Sequence, residues 1–204
     1  YSVDVLAEYQ IKGRFHDYPF VAVPDFDEFE PTLRDQLIEY VEQGGKVLLV
    51  GEKCARLLEP ILGIRFEGQP QEVPAELAGP AGIFGCGGVW QQVSLQGAEA
   101  IGYRYPVRDI GKDGEIAATL ARHGQGLVAA IYGPVGERFL KMHHPYLRSF
   151  IGDIARRVFT GPAIEVAGPP CIEIALRRTR DGLPSLHILN RANMPTSNEY
   201  GTID

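Results

Sequence analysis

Two short apolar runs joined through an amphipathic segment constrain the fold of this chain more than any other feature. The first run is Pro19-Phe-Val-Ala-Val-Pro24, and the second is Lys46-Val-Leu-Leu-Val50. Both are too continuously apolar for a strand with one face in water, so each is typical of a strand buried on both faces. Because two such strands linked by a helix run parallel with a right-handed crossover, the sequence predicts the centre of an open sheet.

The segment between the two runs carries the period of an amphipathic helix. Its apolar residues recur at i, i+4, i+7 and i+8: Leu33, Leu37, Tyr40 and Val41. Asp25 and Asp27 are expected to cap this helix, and Gly44-Gly45 ends it. After Val50, Gly51 turns the chain into a second helical segment, 55–62. The order of elements predicts an α/β fold, a flavodoxin-like doubly wound parallel sheet.

The remainder of this predicted domain is less regular. Val3 to Leu6 is a further strand candidate, and the frequent prolines and glycines of residues 68–88 predict a long surface excursion. Residues 116–122 and 127–132 flank the turn His123-Gly-Gln-Gly126 and predict an antiparallel hairpin. The best helical period of the chain follows, and Gly161-Pro162 ends it.

The last forty or so residues lose the helical period and predict antiparallel β structure in three short runs, 163–166, 171–177 and 185–189. We therefore expect an α/β domain over residues 1–160 and the start of a small, truncated β domain over 161–204. Tyr1 is no initiator Met, so we expect the chain to be a piece of a longer protein whose N-terminal part is missing.

Composition excludes several classes of function. A formal net charge of -6 gives no positive field for a phosphate backbone, so we expect no nucleic-acid partner. No window approaches the roughly 18 apolar residues of a membrane helix, so we expect no membrane partner. The three cysteines are widely spaced and form no CxxC, which predicts neither a disulfide framework nor a zinc site and leaves the compartment undecided.

Five segments of the sequence resemble those of a known family: Tyr18-Pro-Phe-Val-Ala-Val-Pro24, the run from Leu37 to Gly51, residues 118–128, His144-Pro-Tyr-Leu-Arg-Ser-Phe150 and Ser185-Leu-His-Ile-Leu-Asn190. Together they resemble the class I glutamine amidotransferase-like domains of β-galactosidase trimerisation regions and related glycosidase-like proteins. The resemblance implies a domain that follows a catalytic barrel, helps subunits associate and precedes a small β domain. The partners it implies are other domains of the parent chain and further copies in a homo-oligomer.

A working glutaminase needs a cysteine on the sharp turn after a buried strand and a histidine that takes its proton. Here the turn begins at Gly51, and Cys54 lies two or three residues too late. The family's histidine is usually followed by Pro-Glu, whereas His143-His-Pro145 is followed by Tyr146. We therefore expect no catalytic residues, and keep Cys54 with His143 or His144 as the candidates of an alternative, divergent amidotransferase or related hydrolase.

Other sites receive less support from the sequence. Gly124-Gln-Gly126 lacks the strand-then-helix context of a dinucleotide fingerprint, and no metal-ligand pattern is present, so we expect neither cofactor nor metal. Trp90, Tyr103 and Tyr105 could stack on sugar rings, which makes a carbohydrate-binding module a second alternative. The favoured prediction is a non-catalytic structural or oligomerisation domain of a larger glycoside-hydrolase-like protein.

Overall fold

The computed structural model describes residues 3–106, 113–162, 164 and 171–190. The chain divides into two compact units, Glu8–Phe159 and a smaller one formed by Tyr1–Ala7 with Thr160–Asp204. The helices are α1 (Glu8–Ile11), α2 (Pro31–Glu42), α3 (Glu52–Leu57), α4 (Val135–Met142) and α5 (Pro145–Val158), with one-turn 3-10 helices at Phe15–Asp17 and Glu59–Ile61. The strands are β1 (Val21–Pro24), β2 (Lys46–Val50), β3 (Ile64–Val73), β4 (Glu76–Gly79), β5 (Gly82–Gly85), β6 (Gly88–Leu95), β7 (Glu99–Tyr105), β8 (Glu115–His123), β9 (Gly126–Ile131), β10 (Ile172–Arg178) and β11 (Pro184–Asn190).

A curled seven-stranded sheet in the order β1-β2-β9-β8-β7-β4-β5 organises the larger unit. The flavodoxin-like doubly wound prediction is wrong, because among the strands that the structure describes only β1, β2 and β9 run parallel. The neighbouring pairs from β9 to β5 are antiparallel. The fold is mostly β, with about 41% of the described residues in strands and about 29% in helices. A parallel neighbour needs a long crossover, whereas Gly124-Gln125 joins β8 directly to β9 and forces them to run antiparallel.

The sequence located the parallel part correctly. The predicted crossover helix is α2, and its buried side chains are the four that carried the period: Leu33, Leu37, Tyr40 and Val41. The two apolar runs are β1 and β2, paired in parallel from Val21↔Val47 to Pro24↔Val50. The predicted hairpin is β8–β9, and the final helix is α5.

Two other predictions for this region are wrong. Residues 68–88 form no surface excursion, because they contain the end of β3, all of β4 and β5 and the first residue of β6, with Leu77 and Phe84 in the core. Glycines and prolines there lie at strand ends and at a register shift between Glu67 and Gln71, where such residues do not break a sheet. Residues 3–6 form no strand.

Two hydrophobic cores lie on opposite faces of the sheet. Side chains alternate across β2, so Leu49 lies in the first core while Leu48 lies in the second. The first core contains the buried faces of α2 and α3, and the second contains the buried face of α5. The sheet therefore lies between the residues of the first core and those of the second.

The smaller unit contains the antiparallel hairpin β10–β11, from Ile172↔Asn190 to Arg178↔Pro184. This confirms the predicted antiparallel pairing of residues 171–177 with 185–189. The predicted strand at 163–166 falls almost entirely outside the described residues. The division into domains at residues 160 and 161 stays a prediction.

Candidate functional site

Cys54 lies in the first turns of α3 with its side chain fully buried. Its Sγ donates a hydrogen bond to the carbonyl oxygen of Val23 at 3.1 Å. Burial raises the pKa of the Cys54 thiol to about 12, so the group is a neutral thiol at physiological pH. Nucleophilic attack requires the thiolate, which this environment disfavours.

The two histidines occupy helix ends. His143 is the C-cap of α4 in the left-handed conformation, with φ 48°. His144 is the N-cap of α5, where its Nδ1 accepts the backbone N–H of Tyr146 at 3.2 Å. The His144 ring also stacks on Phe84, with ring centroids 6.2 Å apart. These contacts give both residues a structural role between α4 and α5.

The structure does not bring Cys54 and His144 together. Cys54 packs in the first core beside Leu49, whereas Phe84, on which His144 stacks, packs in the second core beside Leu48. The sheet separates the two cores, so no thiol–imidazole pair forms from these two residues. The expectation of no catalytic residues stays a prediction.

A carboxylate that the sequence assigned to another role lies at the carboxyl end of the parallel strands. Asp25 follows β1 with φ 45°, and its backbone N–H donates to the carbonyl oxygen of Val50 at 2.7 Å. Its carboxylate lies against Gly51 and Gly136. A Cβ at Gly51 would come within 2.5 Å of Asp25 Oδ1, and one at Gly136 would come within 2.1 Å of Oδ2. Only glycine leaves room for the carboxylate on both sides.

The Asp25 carboxylate lies at the N-terminus of α4, where it can cap the helix. It packs against Gly136, beside Glu137 in the first turn of that helix. Pro134, the N-cap residue, makes no side-chain capping bond of its own. Desolvation first, and then the charges of Glu52 and Glu137, raise the pKa of Asp25 to about 6.

The expectation that Asp25 or Asp27 caps the next helix is wrong. The N-cap position of α2 is Glu30, and no side chain makes a capping bond there. A glycine near the start of α4, Gly136, and a proline at its N-cap hint that this helix is capped from elsewhere. The capping residue, Asp25, lies more than a hundred residues upstream, so local sequence pattern cannot identify it.

A cavity of about 320 Å³ lies between α5 and the strands β4 and β7. Its lining includes Gly79, Tyr103, Tyr105, Phe150, Asp153 and Arg157. Two of the three aromatic residues singled out in the sequence therefore meet there. The third, Trp90, is buried and donates its indole N–H to the carbonyl oxygen of Cys86 at 2.9 Å, so it belongs to the core.

Metal and membrane sites receive no support within the described residues. No group of three or more His, Cys, Asp and Glu side chains there could hold a metal ion. Among the same residues, no helix combines the length and apolar character needed to cross a bilayer.

No family model matches the chain, and no curated protein matches it either. Solved structures do match. The β-galactosidase from Rahnella sp. R3 is similar with a TM-score of 0.63 and 17% identity, over 85% of this chain and 27% of that one. The β-galactosidase from Bacillus circulans sp. alkalophilus has a TM-score of 0.59 and 16% identity, over 86% of this chain and 27% of that one.

The α-L-fucosidase isoenzyme 2 from Paenibacillus thiaminolyticus has a TM-score of 0.64 and 17% identity, over 84% of this chain and 30% of that one. The chain thus spans between a quarter and a third of the length of these structures. Identities this low establish the fold alone, and they do not show the amidotransferase-like part of the resemblance. The chain has the fold of a domain-sized segment found in large glycoside hydrolases, two β-galactosidases and an α-L-fucosidase among them.

Proposed function

We propose that this chain is a non-catalytic assembly domain of a larger glycoside-hydrolase-like protein. In this proposal it contacts other domains of the same parent chain and further copies of itself. The observation that carries the proposal is the fold likeness to segments that make up 27% to 30% of glycoside hydrolase chains. A segment of that size leaves most of the parent chain for the glycosidase chemistry.

The chemistry of the amidotransferase candidates supports the same proposal. The Cys54 thiol is buried, its pKa is raised to about 12, and its S–H donates a hydrogen bond to the backbone carbonyl of Val23. His144 caps a helix on the other side of the sheet. Because Cys54 and His144 serve packing and helix capping, the domain is better suited to binding other domains than to acyl transfer.

An exposed apolar segment supports a role in association. We use the term helix junction for residues 139–146, which join α4 to α5. Leu140 is 72% exposed, and Met142 and Tyr146 are exposed as well. Single exposed apolar residues are common, but three within seven positions are typical of a surface that another protein covers.

Association is tested with the whole 204-residue chain by light scattering after size exclusion. We expect a mass that is a multiple of the monomer's, and we expect Leu140→Glu to shift it toward the monomer. The matched control is Leu95→Glu, which also places a charge at an exposed leucine but lies on β6. A monomeric wild type, or an equal effect of both variants, would contradict association through the helix junction.

Catalysis is tested by glutamate release from glutamine, compared between the wild type and Cys54→Ser. We expect no release above the buffer blank in either protein. A steady rate in the wild type that disappears in Cys54→Ser would replace the assembly proposal with a divergent amidotransferase.

A further inference from the structure

We propose that β5 is a self-pairing edge, to which a second copy of this chain adds its own β5 in antiparallel orientation about a two-fold axis. This pairing rests on the proposed function, because it names the surface through which the copies associate. β5 is the last strand in the order of the seven-stranded sheet, so among the described residues only β4 pairs with it.

Two residues of β5 direct their backbone groups away from the sheet. The N–H of Cys86, directly after β5, donates to the carbonyl oxygen of Ala75 at 2.7 Å, in the register of the β4–β5 ladder. Hydrogen-bonded and non-hydrogen-bonded pairs alternate in such a ladder, so Phe84 also bonds to β4, whereas Ile83 and Gly85 face the other way. No described residue bonds to the backbone N–H or C=O of Ile83 or Gly85.

The outward groups are placed symmetrically, which suits a second copy. Ile83 and Gly85 lie on either side of Phe84, so a two-fold axis at Phe84 places each of them opposite the other in the second copy. Each of these pairs exchanges both of its N–H···O bonds, so every outward group of β5 finds a partner. Gly85 is exposed and Ile83 is half-buried, which leaves the edge open to an incoming strand.

The edge carries no charge that would oppose this pairing. No Asp, Glu, Lys or Arg occurs between Glu76 and Glu99. A two-fold axis brings identical residues together, so a charged edge would set like charges against each other, and this neutral edge does not. The edge strand β3 differs, because it carries Arg65, Glu67 and Glu72, a proline and a register shift, all of which discourage pairing.

The helix junction lies beside this edge and adds apolar contact. The Tyr146 ring lies against Gly82, where an added Cβ would be 3.3 Å from it, and its centroid is 6.1 Å from that of Phe84. Leu140 and Met142, on the same segment, are exposed. The two-fold axis is perpendicular to the sheet, so the junctions of both copies lie on the same face. Because β5 has only 4 residues, we expect these apolar side chains to supply much of the contact.

The test compares Gly85→Pro with Gly85→Ala in the whole 204-residue chain by light scattering and sedimentation equilibrium. Proline removes the outward N–H and is tolerated on the free side of an edge strand. Alanine keeps the N–H, and its Cβ would meet nothing closer than the Glu76 carboxylate at 3.8 Å. We expect dimers for the wild type and Gly85→Ala, and a dimer dissociation constant raised about tenfold or more in Gly85→Pro. Circular dichroism establishes that both variants fold.

Amide hydrogen exchange of the wild type examines the same edge without a substitution. The N–H groups of Ile83 and Gly85 are bonded only in the dimer, so their exchange should slow about tenfold or more between micromolar and millimolar protein. The N–H of Phe84 bonds to β4 in the monomer and in the dimer, so it should stay protected at both concentrations. This amide is the internal control.

Four outcomes would overturn the edge pairing and leave the assembly role intact. They are unchanged association of Gly85→Pro, an equal loss in Gly85→Ala, concentration-independent exchange at Ile83 and Gly85 in a chain that does associate, and a trimeric mass, which a two-fold contact cannot give. A monomeric wild type would contradict the pairing and the assembly role together, so the two failures are distinguishable.

Discussion

The carboxylate of Asp25, at the end of β1, lies against Gly136 in the first turn of α4, beside Glu137. This contact brings the end of the first strand of the sheet to a helix that begins more than a hundred residues later. It also places a carboxylate at a helix N-terminus where the local N-cap, Pro134, makes no side-chain capping bond. The Asp25 carboxylate therefore acts as a long-range cap of α4, and its removal is expected to have measurable consequences.

Asp25→Ala is expected to lower the free energy of unfolding by about 1–3 kcal/mol, because it removes the cap and leaves a non-glycine residue at positive φ. At pH 4, where the folded chain still holds the Asp25 proton, Asp25→Asn keeps an accepting oxygen and tolerates this backbone, so we expect a loss below about 1 kcal/mol. Urea unfolding at pH 4, followed by circular dichroism, measures both variants. Asp27→Ala is the control, since Asp27 is exposed as Asp25 is, and its pairing with Lys53 at 3.6 Å should contribute less than about 0.5 kcal/mol. Equal losses at positions 25 and 27 would contradict the capping role.

The raised pKa of Asp25 predicts a characteristic pH dependence. The folded chain binds the Asp25 proton up to about pH 6, whereas the unfolded chain releases it near the ordinary value of 3.8. The stabilisation from this proton is therefore complete below about pH 3.8 and is lost as the pH rises through about 6. Asp25→Asn carries no titrating group, so we expect its stability relative to the wild type to increase between pH 4 and pH 7. A ¹³C titration of the Asp25 carboxyl group should show a midpoint near pH 6, and a midpoint near 4 would refute the shift.

The sequence predicted the parallel centre of this fold because the evidence for it was local. Leu33, Leu37, Tyr40 and Val41 mark the buried stripe of α2, and Val47 to Val50 mark a strand covered on both faces. The antiparallel pairing of β4 with β7 was missed because it joins distant segments. Leu77 of β4 lies opposite Arg104 of β7, and no local period connects them.

The candidate sites could be predicted only in part from the sequence, for the same reason. Tyr103 and Tyr105 lie two residues apart on one strand and were identified as possible sugar contacts. Asp153 and Arg157 line the same cavity from a helix about fifty residues later, which local pattern does not show. The displacement of Cys54 from the elbow was visible in sequence. Its burial and its bond to Val23 depend on the packing of α3 against β1, which sequence did not reveal.

The three cysteines should differ in reactivity toward iodoacetamide. Burial raises the pKa of Cys54 and of Cys86 to about 12, so both remain thiols at pH 8 and are shielded by the cores. Cys171 is only partly buried and should react first. Mass spectrometry of peptides from briefly labelled native protein tests this order, and labelling in urea provides the control in which all three react. Rapid native labelling of Cys54 would contradict its place in the core.

Gly136→Ala sets two effects of opposite sign against each other. Helix propensity alone would stabilise the chain by up to about 1 kcal/mol, because alanine is the better helix former. The new Cβ would, however, come within 2.1 Å of Asp25 Oδ2 and displace the capping carboxylate, at a cost of about 0.5–2 kcal/mol. We expect the displacement to prevail and the variant to be less stable than the wild type.

Gly152→Ala is the matched control for that substitution. Gly152 lies inside α5, and the nearest atom to an added Cβ is Arg156 Nη1 at 3.4 Å, the end of a flexible side chain. This variant should gain stability from helix propensity. The decisive measurement is a double-mutant cycle, because in the Asp25→Ala background the carboxylate is gone and Gly136→Ala should cease to be destabilising. If Gly136→Ala instead stabilises the wild type as much as Gly152→Ala does, the Asp25 carboxylate does not occupy the space beside Gly136, and α4 must be capped in another way.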